Sequence, residues 1–475
     1  MYLHRQFTLS IILFLSFFFS VANTAFASES SVKGAVCVVR SGDKVVLVNE
    51  IITKKLSLPA GTVVAGEDPR ATAQRETWEE TGLVVTVGEV LAKNENAIFY
   101  DCVSDSEIVA FQFNNNFDGN ELPVWFAPHY GIEIASAMLI DPSVVNKSDY
   151  RFPEQLDWLV ETLPKTTDQS VLYIGNLIEA APVLNQVELE WMLNLQHSLT
   201  QLNPEVKWVV DSLILAVSEL SSSSLLLILF PLICWRFGKE FSYKVFFALT
   251  MTSLLALVAQ QGFAYPRPHV YLPAVELTQS YGFSLPSLPM AVLVCVGVML
   301  LHALKKLSIN RYSIALLAIV IWMGLGKFYS GAAFIVDSFS GILLGALCAW
   351  HLIRLETKPE INVITLLSSK VVWMGLVVVC AVLTLVWPIP AFTYWLAVTI
   401  TVASLVFTLN RDKTVVTGRA AMIATLSLLL VNFLISFGVE QVSHSGLWSL
   451  VTEALRYPVL IILFATIIRT SAKAK

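Results

Sequence analysis

The sequence predicts two parts: an α+β soluble domain near the N-terminus, then an all-α polytopic membrane domain of about nine helices. Three observations predict this. The 475 residues are 55% hydrophobic and only 14% charged, with a mean hydropathy of +0.67, whereas about 25% of residues in soluble globular domains are charged. Acidic residues concentrate before about position 190. Beyond Val209, apolar runs recur with Lys and Arg clustered between them. Together these exclude a purely soluble enzyme, a disordered chain and a nucleic-acid binder acting through a basic patch.

Residues 1–27 read as a secretory signal: Arg5, an apolar run from Phe7 to Val21, and small residues at Ala25 and Ala27, with cleavage after Ala27. The alternative is an uncleaved anchor. Either way the following domain lies outside the cytoplasm, where disulfides persist. Cys37 and Cys102 both fall in that domain, either bridged or as two buried thiols. Cys234, Cys295, Cys348 and Cys380 sit in apolar runs and read as packing residues.

Residues 28–165 form the soluble domain. Gly34–Arg40 and Lys44–Asn49 read as strands around the turn Ser41-Gly42-Asp43, and Glu107–Phe113 and Gly131–Leu139 as further strands. Asp68-Pro69 supplies an N-cap and a first-position proline for a helix that Gly82 stops. Pro153–Leu163 reads as a closing helix. Residues 166–205 form a linker whose amphipathic stretch, Val183–Leu202, suits a membrane surface.

Nine spans follow, near 212–235, 245–263, 286–304, 312–326, 334–353, 371–388, 391–409, 420–438 and 447–468. With the residues before 209 outside, the inner loops hold five groups of three basic residues: Arg236, Lys239, Lys244; Lys305, Lys306, Arg311; Arg354, Lys358, Lys370; Arg411, Lys413, Arg419; and Arg469, Lys473, Lys475. The outer loops hold Arg267 and Lys327. This obeys the positive-inside rule and predicts a multi-pass protein of the cell (inner) membrane with its soluble domain on the periplasmic side. Glu453 and Arg456, three apart near the last span, are placed to pair within one helix.

Chemistry concentrates first in residues 61–83, GTVVAGEDPRATAQRETWEETGL. At about 100° per residue, Glu76, Glu79 and Glu80 share an arc of roughly 100°. Three such carboxylates repel one another unless a cation sits between them, and hard oxygen ligands suit Mg²⁺ or Mn²⁺. The alternative is a solvated acidic face, against which the like-charged i,i+4 pair Glu76 and Glu80 argues. Arg75 is placed to orient a carboxylate, and Gly61 permits close approach of the preceding loop.

The stretch resembles the Nudix box, G-x5-E-x7-R-E-U-x-E-E-x-G-U with U a bulky apolar residue, at Gly61, Glu67, Arg75, Glu76, Glu79, Glu80, Gly82 and Leu83; Thr77 departs from it. The resemblance, over about 130 residues, implies an α/β/α sandwich that hydrolyses a diphosphate bond in a nucleoside-diphosphate-linked or lipid-linked substrate. It implies Glu76, Glu79 and Glu80 as metal ligands, Glu67 as an accessory ligand, and Glu79, Glu80 and Arg75 as catalytic.

A second resemblance covers residues 206–355. Arg267-Pro268, Pro286-Ser287 and Lys327 with Asp337 follow the order of the type-2 phosphatidic acid phosphatase motifs K-x6-R-P, P-S-G-H and S-R-x5-H-x3-D. Gln260 replaces the first Lys, Leu288-Pro289 the Gly-His, and Ala333 the nucleophilic His. Alanine forms no phospho-enzyme and proline donates no proton, so the resemblance implies the phosphatase fold without its usual catalysis. Arg267, Ser287, Lys327 and Asp337 are left as candidate phosphate contacts, or the two cations as snorkelling residues. Residues 356–475 add four spans that resemble no named family.

The sequence thus predicts an extracytoplasmic, membrane-anchored diphosphatase whose partners are its diphosphate substrate and membrane lipids, and no nucleic acid. Two other functions compete with it. One is a lipid-phosphate binding or transport protein with a sensory soluble domain. The other is a bifunctional enzyme that also removes phosphate from a lipid (undecaprenyl) diphosphate.

Overall fold

Strict alternation along three strands builds a core with two faces. In β1 (Gly34–Val38) Ala35 and Cys37 face one side while Val36 and Val38 face the other. In β3 (Lys44–Glu50) Val46 and Val48 oppose Val45 and Leu47, and in β10 (Ile134–Ile140) Ala137 and Leu139 oppose Met138 and Ile140. Successive side chains of a strand point to opposite faces, so two apolar layers form and each needs a cover. Ala73 of α1 (Pro69–Thr81) packs into one layer, and Leu156 and Leu159 of α2 (Glu154–Thr162) into the other. Helix, strands, helix is the predicted sandwich. The computed structural model describes residues 33–219, 223–408 and 416–470; the signal segment 1–27 and the inner-loop residues Arg411, Lys413, Lys473 and Lys475 lie outside them.

The strand pairing departs from a simple hairpin. β1 runs parallel to β7 (Ala97–Ser104) and antiparallel to β5 (Ala60–Thr62), with β6 (Val85–Lys93) beyond β7. β3 belongs to a second sheet, with β2 (Arg40–Ser41) and β4 (Leu56–Ser57) on it and β10 leading to β9 (Asn120–Glu121). The turn at Ser41 joins β2 to β3 as a short hairpin within that sheet, whereas β1, just before it, pairs in the other sheet; the apolar period cannot say which neighbour each strand finds. β8 (Ile108–Phe111) pairs in parallel with β11 (Val171–Ile174), a strand from the segment read as linker. Cys37 and Cys102 form a disulfide between the neighbouring strands β1 and β7.

The amphipathic stretch is helix α3 (Val183–Thr200). Leu189 and Met192 pack against Tyr271, Val275 and Phe334, and the Glu188 carboxylate accepts from Ile335 N at 2.6 Å. Val183 and Trp191 stay exposed on the opposite side, so the buried face docks on the chain's own loops rather than on lipid.

Beyond it the chain is helical: α4 (Pro204–Glu219), α5 (Ser223–Phe237), α6 (Lys239–Phe263), the short α7 (Pro268–Tyr271), α8 (Leu288–Ala303), α9 (Arg311–Tyr329), α10 (Ile335–Glu356), the short α11 (Val363–Leu367), α12 (Lys370–Val386), α13 (Pro390–Thr408), α14 (Gly418–Gln441) and α15 (Gly446–Thr470). Among the described residues six of these are long and apolar enough to cross a membrane: α6, α9, α10, α13, α14 and α15. Three shorter apolar helices, Leu225–Phe237, Leu288–Ala303 and Lys370–Val386, fall on three further expected spans. The expected first span, 212–235, falls on α4 and α5, either side of 220–222. α8 and α10 approach closely because Gly341 and Gly345 lie against the backbone of Ser287 and Ala291, the small-residue packing of membrane helices. Glu453 and Arg456 pair at 2.7 Å as expected, and Arg456 also donates to Asn432 and Ser436 of α14.

The two parts touch. Val270 enters the sandwich core, the Trp125 and Tyr271 rings lie 5.7 Å apart, and Arg151 Nε donates to the His444 carbonyl at 3.1 Å.

Candidate functional site

The acidic site is set by the ends of α1. The Asp68 side chain accepts from Arg70 N and Pro69 occupies the first turn, fixing the start. Gly82 ends the helix at φ 73°, in left-handed space that favours glycine, and a Cβ there would lie 2.4 Å from the Phe126 ring. Between these ends Arg75 gathers three carboxylates. Its Nε and Nη2 donate to the two Glu67 oxygens at 3.0 and 3.2 Å, and Nη1 donates to Glu76 and to Glu79 at 2.8 Å each. The fork on Glu67 is bidentate, which fixes orientation as well as charge. It holds the Glu67 carboxyl down at about 2.

Glu76 and Glu80 face inward. Glu76 is 8% exposed and Glu80 6%, and burial pushes both carboxyls up, Glu80 well above the usual carboxylate range. Glu80 accepts from Ala60 N at 3.0 Å and feels the charges of Glu50 and Glu76. A Cβ at Gly61 would fall 1.9 Å from Glu76 Cδ, so glycine is what lets this carboxylate lie against β5.

The structure brings Glu76 and Glu79 together with a residue absent from the sequence reading. One ligand atom each from Glu76, Glu79 and His129 lie within 4.8 Å of one another, a group able to hold a metal ion. His129 Nε2 stands 3.7 Å from Glu79 Oε2, and the His129 backbone N–H donates to the Glu79 carbonyl at 2.8 Å. His129 lies fifty residues downstream of Glu79, in the turn before β10, so helical spacing could not reveal it. Its only signal is a histidine after Pro128 in an aromatic loop. Glu80 stands outside this group on the β5 side, and Glu67 is joined to it through Arg75.

The donor set fits a divalent cation. Two carboxylates and an imidazole suit Mn²⁺, and carboxylates with water suit Mg²⁺. Burying carboxylates is costly when their charge is unbalanced; here one guanidinium serves three of them.

The basic candidates of the membrane part are held differently. Arg267 donates through Nε to the Tyr281 carbonyl at 2.8 Å, through Nη1 to Ala332 at 2.6 Å and through Nη2 to Phe283 at 3.2 Å. Ala333, where the phosphatase motif has its nucleophile, is buried beside that contact. Asp337 accepts from Phe334 N at 2.8 Å and caps α10, and its carbonyl accepts from Ser287 N at 2.9 Å. Lys327 is the second cation, and the Arg267 charge acts on it. Backbone groups thus occupy the side chains of Arg267 and Asp337.

Residues 31–151 match the family model described as the NUDIX domain. Over 69 residues the chain is 42% identical to an RNA pyrophosphohydrolase of Roseobacter denitrificans, spanning 14% of this chain and 41% of that protein. It is 30% identical over 108 residues to an RNA pyrophosphohydrolase of Bartonella tribocorum, spanning 22% and 58%. The chain thus spans about half the length of the curated relatives it matches. Among solved structures, an ADP-ribose pyrophosphatase from Streptococcus suis is 18% identical with a TM-score of 0.19, covering 30% of this chain and 97% of that one. A NUDIX hydrolase from Nitrosomonas europaea is 17% identical with a TM-score of 0.21, covering 30% and 79%. By the family-model match the N-terminal part is a Nudix-like α/β region, followed by an all-helical part.

Proposed function

We propose that the chain is a membrane-anchored, extracytoplasmic hydrolase that cleaves a diphosphate bond with the help of Mg²⁺ or Mn²⁺. The observation that carries this is the convergence of Glu76, Glu79 and His129 within 4.8 Å, under Arg75, in the segment that matches the NUDIX model. Glu76, Glu79 and His129 would hold the ion, with Glu80 beside them and Glu67 as accessory. When bound, the ion neutralises phosphate charge and lowers the pKa of an attacking water. Arg75 fixes the directions of Glu67, Glu76 and Glu79, the Ala60 N–H holds Glu80, and Gly61 leaves room for Glu76. The substrate is a nucleoside-linked or lipid-linked diphosphate.

The extracytoplasmic placement is supported by the Cys37–Cys102 disulfide, since such bonds persist in oxidising compartments, and by the basic residues of the loops. The membrane part, residues 206–355 with the spans of 356–475, is read as a phosphatase-like anchor without phosphatase chemistry. The buried Ala333 and the backbone partners of Arg267 support this.

The test uses the full chain in detergent with GTP, ADP-ribose and farnesyl diphosphate, with and without each metal, beside a Glu79→Gln, Glu80→Gln double variant. Metal-dependent hydrolysis lost in the variant is expected. Metal binding without turnover of any probe would favour the receptor or transport function instead.

A further inference from the structure

The turn that carries His129 is tightly closed. The His129 carbonyl accepts from the backbone N–H groups of Ile132, Glu133 and Ile134 at 3.1, 3.0 and 3.1 Å, and Tyr130 N donates to the Ala127 carbonyl at 3.0 Å. Such a turn moves as one piece, because displacing one residue breaks several backbone bonds at once. It touches α1 through the His129 N–H on the Glu79 carbonyl and through the Phe126 ring against Gly82.

The same turn also touches the membrane part. Gly131, at φ 73°, lies against Gly282, at φ 69°, so closely that a Cβ on Gly131 would fall 2.9 Å from Gly282 Cα. Two backbones thus meet with no side chain between them, in conformations that favour glycine. The buried Tyr130 ring meets Phe283 edge-on, with centroids 6.1 Å apart, and its hydroxyl reaches the Gly282 carbonyl at 3.5 Å. Ile132 packs against the apolar cluster of α6, α12 and α13.

Gly282 is itself fixed. Arg267 donates to the carbonyls of Tyr281 and Phe283, the residues on either side of it, at 2.8 and 3.2 Å, and to that of Ala332 at 2.6 Å. A guanidinium presents its donors in a rigid planar fork, so Arg267 clamps the segment whose middle residue the His129 turn meets. Contacts therefore run without a gap from Arg267 through Gly282 and Gly131 to His129. A functional side chain must be held within about 0.5 Å of its place, and a backbone contact two residues from His129 has that leverage.

We propose that Arg267, Gly282, Gly131 and Tyr130 are positioning residues for the metal site: the membrane part holds the His129 turn so that the imidazole meets Glu76 and Glu79. This rests on the metal-dependent function proposed above, with His129 as a ligand. It gives the membrane part a role in that function besides anchoring.

The experiment measures Mn²⁺ affinity of the full chain in detergent by electron paramagnetic resonance, as a double-mutant cycle. The variants are Gly131→Ala, which forces the two backbones apart, Arg267→Lys, which keeps the charge and loses the fork, and each of these combined with His129→Ala. Gly131→Ala should weaken Mn²⁺ binding about tenfold, as loss of a group that orients a ligand does, and Arg267→Lys should weaken it in the same direction. With His129→Ala present, either change should cost about twofold or less, because its effect runs through the imidazole. The imidazole nitrogen signal in the electron spin-echo modulation of bound Mn²⁺ should shrink in both single variants. An effect of equal size in both backgrounds is general destabilisation and overturns the inference. An unchanged affinity and nitrogen signal in the single variants overturns it too. Should Gly131→Ala not fold, Arg267→Lys carries the same cycle. Wild-type binding that is absent, or indifferent to His129→Ala, removes the metal site itself. Binding that depends on His129 but not on Gly131 or Arg267 removes only the positioning role.

Discussion

The molecule holds two clusters of like charge, one in each part, and they differ in what their charges touch. In the acidic cluster, Glu67, Glu76 and Glu79 share one guanidinium, and His129 converges with Glu76 and Glu79. In the basic cluster, Arg267 spends Nε, Nη1 and Nη2 on three backbone carbonyls, of Tyr281, Ala332 and Phe283, that tie their loops together. The first arrangement leaves charge for a ligand to balance; the second turns charge into structure. Residue type alone therefore does not make a site, because the partners of a side chain decide what it can do.

The comparison breaks most directly at the carboxylates. Glu79→Gln with Glu80→Gln should lower hydrolysis by about a hundredfold or more at saturating Mg²⁺, in line with the loss of groups that hold or support a catalytic ion. The full chain carrying those changes should release no phosphate from a lipid phosphate, since Ala333 offers no nucleophile; release at the wild-type rate would mean that the basic cluster is active.

Gly61→Ala should come next. Its Cβ would fall 1.9 Å from Glu76 Cδ, so the carboxylate must swing away from β5. Metal affinity and kcat should both drop about tenfold, while the far-ultraviolet circular dichroism stays the same.

Removing the disulfide tests the fold beneath the acidic site. It closes a 65-residue separation between β1 and β7, and Cys37→Ala with Cys102→Ala should cost about 2–4 kcal/mol, measured by thermal unfolding of the full chain in detergent.

The smallest effect concerns pH. The Glu276 carboxyl is raised to about 8 when folded, so between about pH 4.5 and 8 the folded chain holds a proton that the unfolded chain has lost. Stability contributed by this group is present below the unfolded value and falls as pH rises. Glu276→Gln should flatten the decline of stability between pH 5 and 8; a slope identical to the wild type would contradict the burial.

Much of the acidic site was legible in the sequence because α1 is local: Asp68, Pro69 and Gly82 mark its ends, and helical spacing brings Glu76 and Glu79 together. His129 and the seat of its turn against Gly282 were not legible, since tertiary pairing places them and no periodicity records it. The sheets show the same limit. β1 and β3 carry similar apolar runs, and only pairing with β7 and β10 separates them. β6 and β7 went unread because a half-buried antiparallel pair exposes as much polar as apolar side chain. In the helical part the apolar runs were plain, yet Val183–Thr200 docks on protein, a choice set by Leu189 and Met192 meeting Tyr271 and Phe334.

The most direct measurement is Mn²⁺ binding to the full chain by electron paramagnetic resonance, followed alongside hydrolysis of the best nucleotide probe. One bound ion, lost in Glu79→Gln and weakened in His129→Ala, with hydrolysis rising in step with occupancy, is the predicted result. Hydrolysis that proceeds without a divalent ion, or Mn²⁺ binding indifferent to both substitutions, would contradict a metal-dependent hydrolase centred on α1.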